Sequence, residues 1–135
     1  MPEFTHKILL VEDDLFLFTL LKNRLEKEGF EVTGAHDGNE ALKTLREAKP
    51  DLILLDIILP GKSGFEVLEE MLADPQLHDR VGVPVIIISN LGQESDIERG
   101  RKLGVVDYFV KAHVGIDDLV KKVEGYIKQP TTNDK

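Results

Sequence analysis

Nearly continuous apolar runs of strand length recur along the chain at Lys7–Val11, Val32–Ala35, Leu52–Leu55, Val85–Ile88 and Val106–Val110. Runs that do not alternate with polar residues are the pattern of parallel strands covered by helices on both faces. Helix-period segments lie between them. Leu17, Leu20, Leu21 and Leu25 make one apolar stripe, Ala41, Leu42, Leu45 and Ala48 a second, and Leu68, Met71 and Leu72 a third. The clearest stripe is the last, Ile116, Leu119, Val120, Val123 and Ile127, with Asp117 and Asp118 in its first turn and lysines following, as the helix dipole prefers. Glu94–Leu103 predicts the weakest helix, because only Ile97 and Leu103 are large and apolar and Gly100 interrupts it. Gly29, Gly38, Pro50 and Gly104 fall where turns are needed. The resulting (βα)5 alternation predicts an α/β fold with right-handed crossovers and a doubly wound, five-stranded parallel sheet.

Length and charge narrow the function. The 135 residues suit a single domain spanning 1–135, with a core at about 7–128 and a short polar tail at 129–135. After Ile127 too little chain remains for an effector domain, which reads as a stand-alone protein or an excised domain. Cysteine is absent, so disulfides, thiol catalysis and thiolate metal sites are excluded. A formal charge of -8 disfavours a direct grip on nucleic acid or on an anionic membrane. No apolar run approaches the roughly 18 residues of a membrane span, and the start, MPEFTHKILLVEDD, lacks a signal-peptide pattern. The expectation is a soluble, cytoplasmic protein.

In an open parallel sheet, ligands bind beyond the carboxyl ends of the strands. Glu12 and Asp13 follow the first strand, Asp56 the third, Ser89 the fourth and Lys111 the fifth. In a flavodoxin-like strand order of 2-1-3-4-5, the first and third strands are neighbours at about 4.8 Å, so Asp13 and Asp56 could share one cation. Clustered carboxylates repel one another, and a hard divalent ion such as Mg2+ relieves that repulsion. The long stem of Lys111 can reach back across roughly two strand spacings, and Ser89 can hydrogen-bond a phosphate oxygen. Taken singly, each residue has a plainer reading: an acidic pair after a strand is commonly a helix cap, a lysine a surface charge, a serine a turn residue. Their convergence on one sheet edge is what favours a site.

These segments closely resemble response-regulator receiver domains, from Lys7 to about Lys128. Ile8-Leu9-Leu10-Val11-Glu12-Asp13-Asp14 is similar to the family's first strand and acidic pair, and Asp51-Leu52-Ile53-Leu54-Leu55-Asp56 to its phosphoacceptor strand. Ile57-Ile58-Leu59-Pro60-Gly61, then Gly64, resembles the loop after the acceptor; Pro84-Val85-Ile86-Ile87-Ile88-Ser89 resembles the strand ending in the switch hydroxyl. Asp107-Tyr108-Phe109-Val110-Lys111 completes the pattern. The resemblance implies a phosphoacceptor signalling switch rather than an enzyme acting on other substrates. Asp56 would take a phosphoryl group from a sensor histidine kinase or a histidine phosphotransfer protein. Mg2+ would be held by Asp13 and Asp56 directly, by Glu12 through water and by the backbone carbonyl of Ile58. Lys111 would pair with the phosphate, and Ser89 and Tyr108 would move on phosphorylation. A phosphorylation-dependent homodimer is compatible with this reading, and the downstream effector is not identified by it.

Two positions depart from the family pattern. Ala112 follows Lys111 where the family usually has proline, often after a cis peptide. A cis bond before alanine costs roughly 2.5 to 4 kcal/mol, so a trans loop and an altered aim for Lys111 are expected. Asn90 stands where a small residue is favoured and would narrow access to Asp56. Leu15, Phe16 and Phe18 exceed what the first helix needs for its core stripe and read either as a kinase-docking surface or as packing over neighbouring loops. His6, His36, His78 and His113 show no metal-ligand spacing and are assigned no site. Three readings compete. A pseudo-receiver that works without phosphorylation would be favoured by loss of an acid or the lysine, and neither is lost. A flavodoxin-like cofactor carrier would need a glycine- and hydroxyl-rich loop where Glu12-Asp13-Asp14 stands. A phosphatase with an aspartate nucleophile would want an acid where Ile58 stands.

Overall fold

A computed structural model describes residues 6–127. The tail at 129–135 and the core limit at 128 lie outside the described residues. The strands are β1 (His6–Val11), β2 (Phe30–Ala35), β3 (Leu52–Leu55), β4 (Val85–Ser89) and β5 (Asp107–Val110). They form one parallel sheet in the order β2-β1-β3-β4-β5, as expected for the flavodoxin-like arrangement. Five α-helices connect and close it: α1 (Leu15–Lys27), α2 (Gly38–Glu47), α3 (Gly64–Ala73), α4 (Glu94–Lys102) and α5 (Ile116–Ile127).

Successive strand residues point to opposite faces, so each continuous apolar run feeds two cores. Leu9, Val11, Ile53, Leu55 and Ile87 pack against Ala41, Leu42 and Leu45 of α2 and Phe65, Leu68 and Met71 of α3. Ile8, Leu10, Leu52, Leu54, Ile86 and Ile88 pack against Leu21 and Leu25 of α1 and Leu119, Val120 and Val123 of α5. Local chemistry sets the helix starts. Asp14 and Asp37 accept backbone N–H groups at the first turns of α1 and α2, and Ser63 with Glu66 forms a reciprocal capping box on α3.

Three stripe positions expected to face inward do not. Leu20 and Leu72 are exposed, because each helix meets the sheet along a narrower line set by Leu21 and Leu25, or by Leu68 and Met71. Ala48 is the C-cap of α2 with φ -150, so it has left the helical path before it could join the stripe. The β2 strand starts two residues earlier than the pattern suggested, at the fully buried Phe30, and Val106 lies outside β5 and is exposed. The weakness expected of α4 is visible: Gly100 is its one buried residue, and no side chain caps its start. Among the described residues no helix is long and apolar enough to cross a membrane.

The two leucine environments give a direct comparison. Leu54→Ala, at 0% exposure, is expected to cost about 2–5 kcal/mol in urea unfolding through lost burial and the cavity left behind. Leu72→Ala, at 46% exposure, is expected to stay within about 0.5 kcal/mol of the parent protein.

Candidate functional site

Because β1 and β3 are paired with Val11 opposite Leu55, the chain leaves both strands at the same level. The next residues, Glu12 and Asp56, therefore emerge side by side. Backbone bonds pin both, from the Asp56 N–H to the Val11 carbonyl at 3.0 Å and from the Glu12 N–H to the Ala35 carbonyl at 3.0 Å. Glu12 is 0% and Asp56 3% exposed, while Asp13 faces solvent. One carboxylate oxygen from each of the three lies within 4.8 Å of the others.

Lys111 leaves the end of β5 in a short 3-10 turn, Lys111–His113, and its Nζ reaches back to Asp56 Oδ2 at 2.8 Å and Glu12 Oε1 at 2.9 Å. Among the described residues no peptide bond is cis, so the turn at Ala112 is trans as expected. The long stem of Lys111 brings the ammonium onto both buried carboxylates. Asp56 Oδ1 accepts the Ile58 N–H at 3.2 Å, which folds the following loop over the acid. That loop is tied to α3 through the Gly64 N–H and the Ile57 carbonyl at 2.8 Å. A Cβ at residue 64 would stand 2.3 Å from the Asp56 carbonyl oxygen, so only glycine permits this approach.

The charges are unbalanced: three acids face one ammonium. Burial pushes the Glu12 carboxyl above its ordinary value, and Lys111 and the Asp14 N–H only partly offset it, while the Asp56 charge adds to the rise. Burial would lower the Lys111 ammonium, but its bonds to Asp56 and Glu12 outweigh that and leave it above the usual lysine value. The Glu12 Oε1 atom is buried and has the ammonium at ion-pair distance, yet no hydrogen bond along a good direction satisfies it. A buried oxygen left in that condition, beside two further hard oxygen donors, fits a small divalent cation such as Mg2+.

Ser89, fully buried, lies at the end of β4, where its Oγ accepts the Leu91 N–H at 3.3 Å. Tyr108 on β5 is half-buried, and its hydroxyl donates to the Leu91 carbonyl at 2.5 Å. The peptide groups of one loop residue thus join both side chains. Burial, with the Asp96 and Asp56 charges, pushes the Tyr108 hydroxyl up to about 12. A cleft of about 190 Å³ beside that ring is lined by Ile97, Arg101, Val105 and Asp107. Asn90 is exposed. The apolar excess on α1 divides: Leu15 and Phe16 are 64% and 78% exposed, whereas Phe18 packs edge-on against the His36 ring with centroids 4.5 Å apart. His36 is the neighbour the sequence reading missed. Its Nδ1 lies 2.9 Å from the Glu12 carbonyl oxygen, a contact to backbone that carries no spacing signature.

Comparisons with known proteins point to one family. Residues 8–124 match the sequence profile of the response regulator receiver domain. The chain is 44% identical over 106 residues to the transcriptional regulatory protein CpxR of Klebsiella pneumoniae, covering 78% of this chain. It spans 43% of the length of that relative. Among solved structures, the receiver domain of the Francisella response regulator 1452 is 31% identical with a TM-score of 0.80, covering 92% of this chain and 98% of that one. The phosphorylated cyanobacterial phytochrome response regulator RcpA is 36% identical with a TM-score of 0.74, covering 89% of each chain.

The burial of the Glu12 carboxylate, with Asp56 beside it, has a measurable cost without metal. With its folded-state pKa raised, Glu12 keeps its proton in the native state over a range where the unfolded chain has released it. The resulting penalty is absent below the ordinary value of 4.5, grows as pH rises from there to the raised value, and is constant above it. Glu12→Gln is accordingly expected to shift the urea midpoint of the metal-free protein upward at pH 7. The gain should fade as pH is lowered to 4.5.

Proposed function

Since the chain belongs to the response regulator receiver domain family, we propose that residues 6–127 work as one phosphorylation switch whose phosphoacceptor is Asp56. The observation that carries the reading is the setting of that carboxylate: nearly buried, fixed by the Ile58 N–H, touched by the Lys111 ammonium and within 4.8 Å of Glu12 and Asp13. The donor is a phosphohistidine on a sensor histidine kinase or a histidine phosphotransfer protein. A carboxylate oxygen of Asp56 forms a bond to phosphorus as the phosphorus–nitrogen bond to the imidazole breaks, and the imidazole leaves with its electron pair.

Phosphoryl transfer needs alignment and charge neutralisation more than covalent assistance. Asp13 and Asp56 would hold Mg2+ directly, Glu12 through water and the Ile58 carbonyl from the loop; the bound ion supplies positive charge beside the phosphoryl oxygens. Lys111 contributes the second positive charge. Its ammonium already touches Asp56, so a short displacement carries it onto a phosphate oxygen. Ser89 turns its hydroxyl from Leu91 to the phosphate, which frees the β4–α4 loop. Tyr108 is joined to the same Leu91 and follows it, and α4, the least anchored helix, shifts between two packings. That neither the acids nor the lysine is lost weighs against a module that works without phosphorylation.

Intact-mass spectrometry after incubation with a small phosphoryl donor and Mg2+ tests this. One acid-stable, alkali-labile phosphate is expected on the parent protein, none on Asp56→Asn and none after chelation of the metal. Lys111→Ala is expected to label about 100-fold more slowly, having lost one preorganised charge at the phosphoryl oxygens. An adduct that persists in Asp56→Asn, or none on the parent protein, would remove Asp56 from this role.

A further inference from the structure

The acidic turn after β1 is gripped from its outer side by residues to which the phosphoryl chemistry assigns no task. His36 is the first residue beyond β2, and its half-buried ring places Nδ1 2.9 Å from the Glu12 carbonyl oxygen. A carbonyl oxygen can only accept, so Nδ1 carries the proton and donates. This carbonyl belongs to the peptide that joins Glu12 to Asp13, so whatever holds it sets the position of both acids.

The ring is held by α1, and the backbone of the same residue by the start of α2. Phe18 of α1 meets it edge-on, with an interplanar angle of 63°. Phe18 can lie there because residue 34 is glycine: a Cβ at that position would stand 2.3 Å from Phe18 Cζ. The His36 N–H donates to the Glu40 carboxylate at 2.7 Å, and the Glu40 N–H donates to Asp37 Oδ1 at 2.7 Å, which binds the turn to the capped start of α2. Besides its ion pair with Lys111, residue 12 is thus held by its N–H on the Ala35 carbonyl, its carbonyl under His36, and its Oε2 on the Asp14 N–H at 3.0 Å.

We infer that His36 is a positioning residue for cation binding, its Nδ1–H holding the Glu12–Asp13 peptide where both carboxylates can meet one ion. Groups that fix metal ligands from behind commonly change affinity by about tenfold or more when removed, because the ligand set must then be ordered by the ion itself. Phe18 and Gly34 act through His36 by holding the ring against the turn. The inference rests on the proposed function, in that the ion concerned is the Mg2+ of the phosphoacceptor site.

The test is calorimetric titration with Mg2+ alone at fixed pH, on the parent protein, His36→Phe and His36→Asn, with unfolding curves to show that each variant is folded. Phenylalanine keeps the ring against Phe18 and removes the donor. Asparagine removes the ring and keeps an amide N–H near the place of Nδ1. His36→Phe is expected to bind Mg2+ about tenfold more weakly, and His36→Asn to stay within about twofold of the parent protein. Parent-like binding by His36→Phe would overturn the inference. So would equal weakening of both variants, since the loss would then follow the ring and not the hydrogen bond. If the parent protein takes up no Mg2+, the proposed function fails and the inference is overturned with it, an outcome distinct from parent-like binding by His36→Phe.

Discussion

Three carboxylates gather at the carboxyl ends of β1 and β3 while one ammonium reaches only two of them, and that imbalance governs this edge of the sheet. The pairing of Val11 with Leu55 puts Glu12 and Asp56 side by side, and the surrounding core keeps both from solvent. Alone, such a cluster is a liability, because buried charge is tolerated only when paired. Lys111 offsets part of it at 2.8 and 2.9 Å and leaves one buried Glu12 oxygen without a directed hydrogen bond. The unfavourable balance is what a cation and a phosphoryl group would correct, so the cost in the free protein and the proposed chemistry have the same origin.

The rest of the fold divides into parts that hold this cluster and parts that can respond to it. Two apolar layers, one on each face of the sheet, fix the strand ends, and the glycine at position 64 lets the loop after Asp56 close on α3. His36, Phe18 and the capped start of α2 hold the acidic turn from outside. On the other side, Ser89 and Tyr108 are both joined to Leu91, and α4 contributes one buried glycine to the interior. Rigidity is thus concentrated around β1 and β3 and is weakest around α4, the distribution a two-state element needs.

Much of this was legible in the chain. Continuous apolar runs require strands covered on both faces, and strands alternating with helical stripes require a parallel sheet, so the fold class was accessible from period and connectivity, whereas the strand order entered by analogy with flavodoxin-like sheets. The acids, the hydroxyl and the lysine could be assigned to one edge because each directly follows a strand. Ala48, Leu20 and Leu72 were misplaced because a stripe records which residues are apolar, not how wide the contact line is or where the helix ends.

What the sequence by itself determined is the set of elements and the edge at which the polar residues gather, since both depend on periodicity and chain direction. Only the tertiary structure decided how the charges pair, that Phe18 turns toward His36 while Phe16 stays in solvent, and that an imidazole donates to the Glu12 carbonyl. Those outcomes depend on distances of a few ångströms between residues as little as 18 positions apart (Phe18 and His36) and as much as 99 (Glu12 and Lys111), set by packing of both layers at once, and no local pattern encodes them.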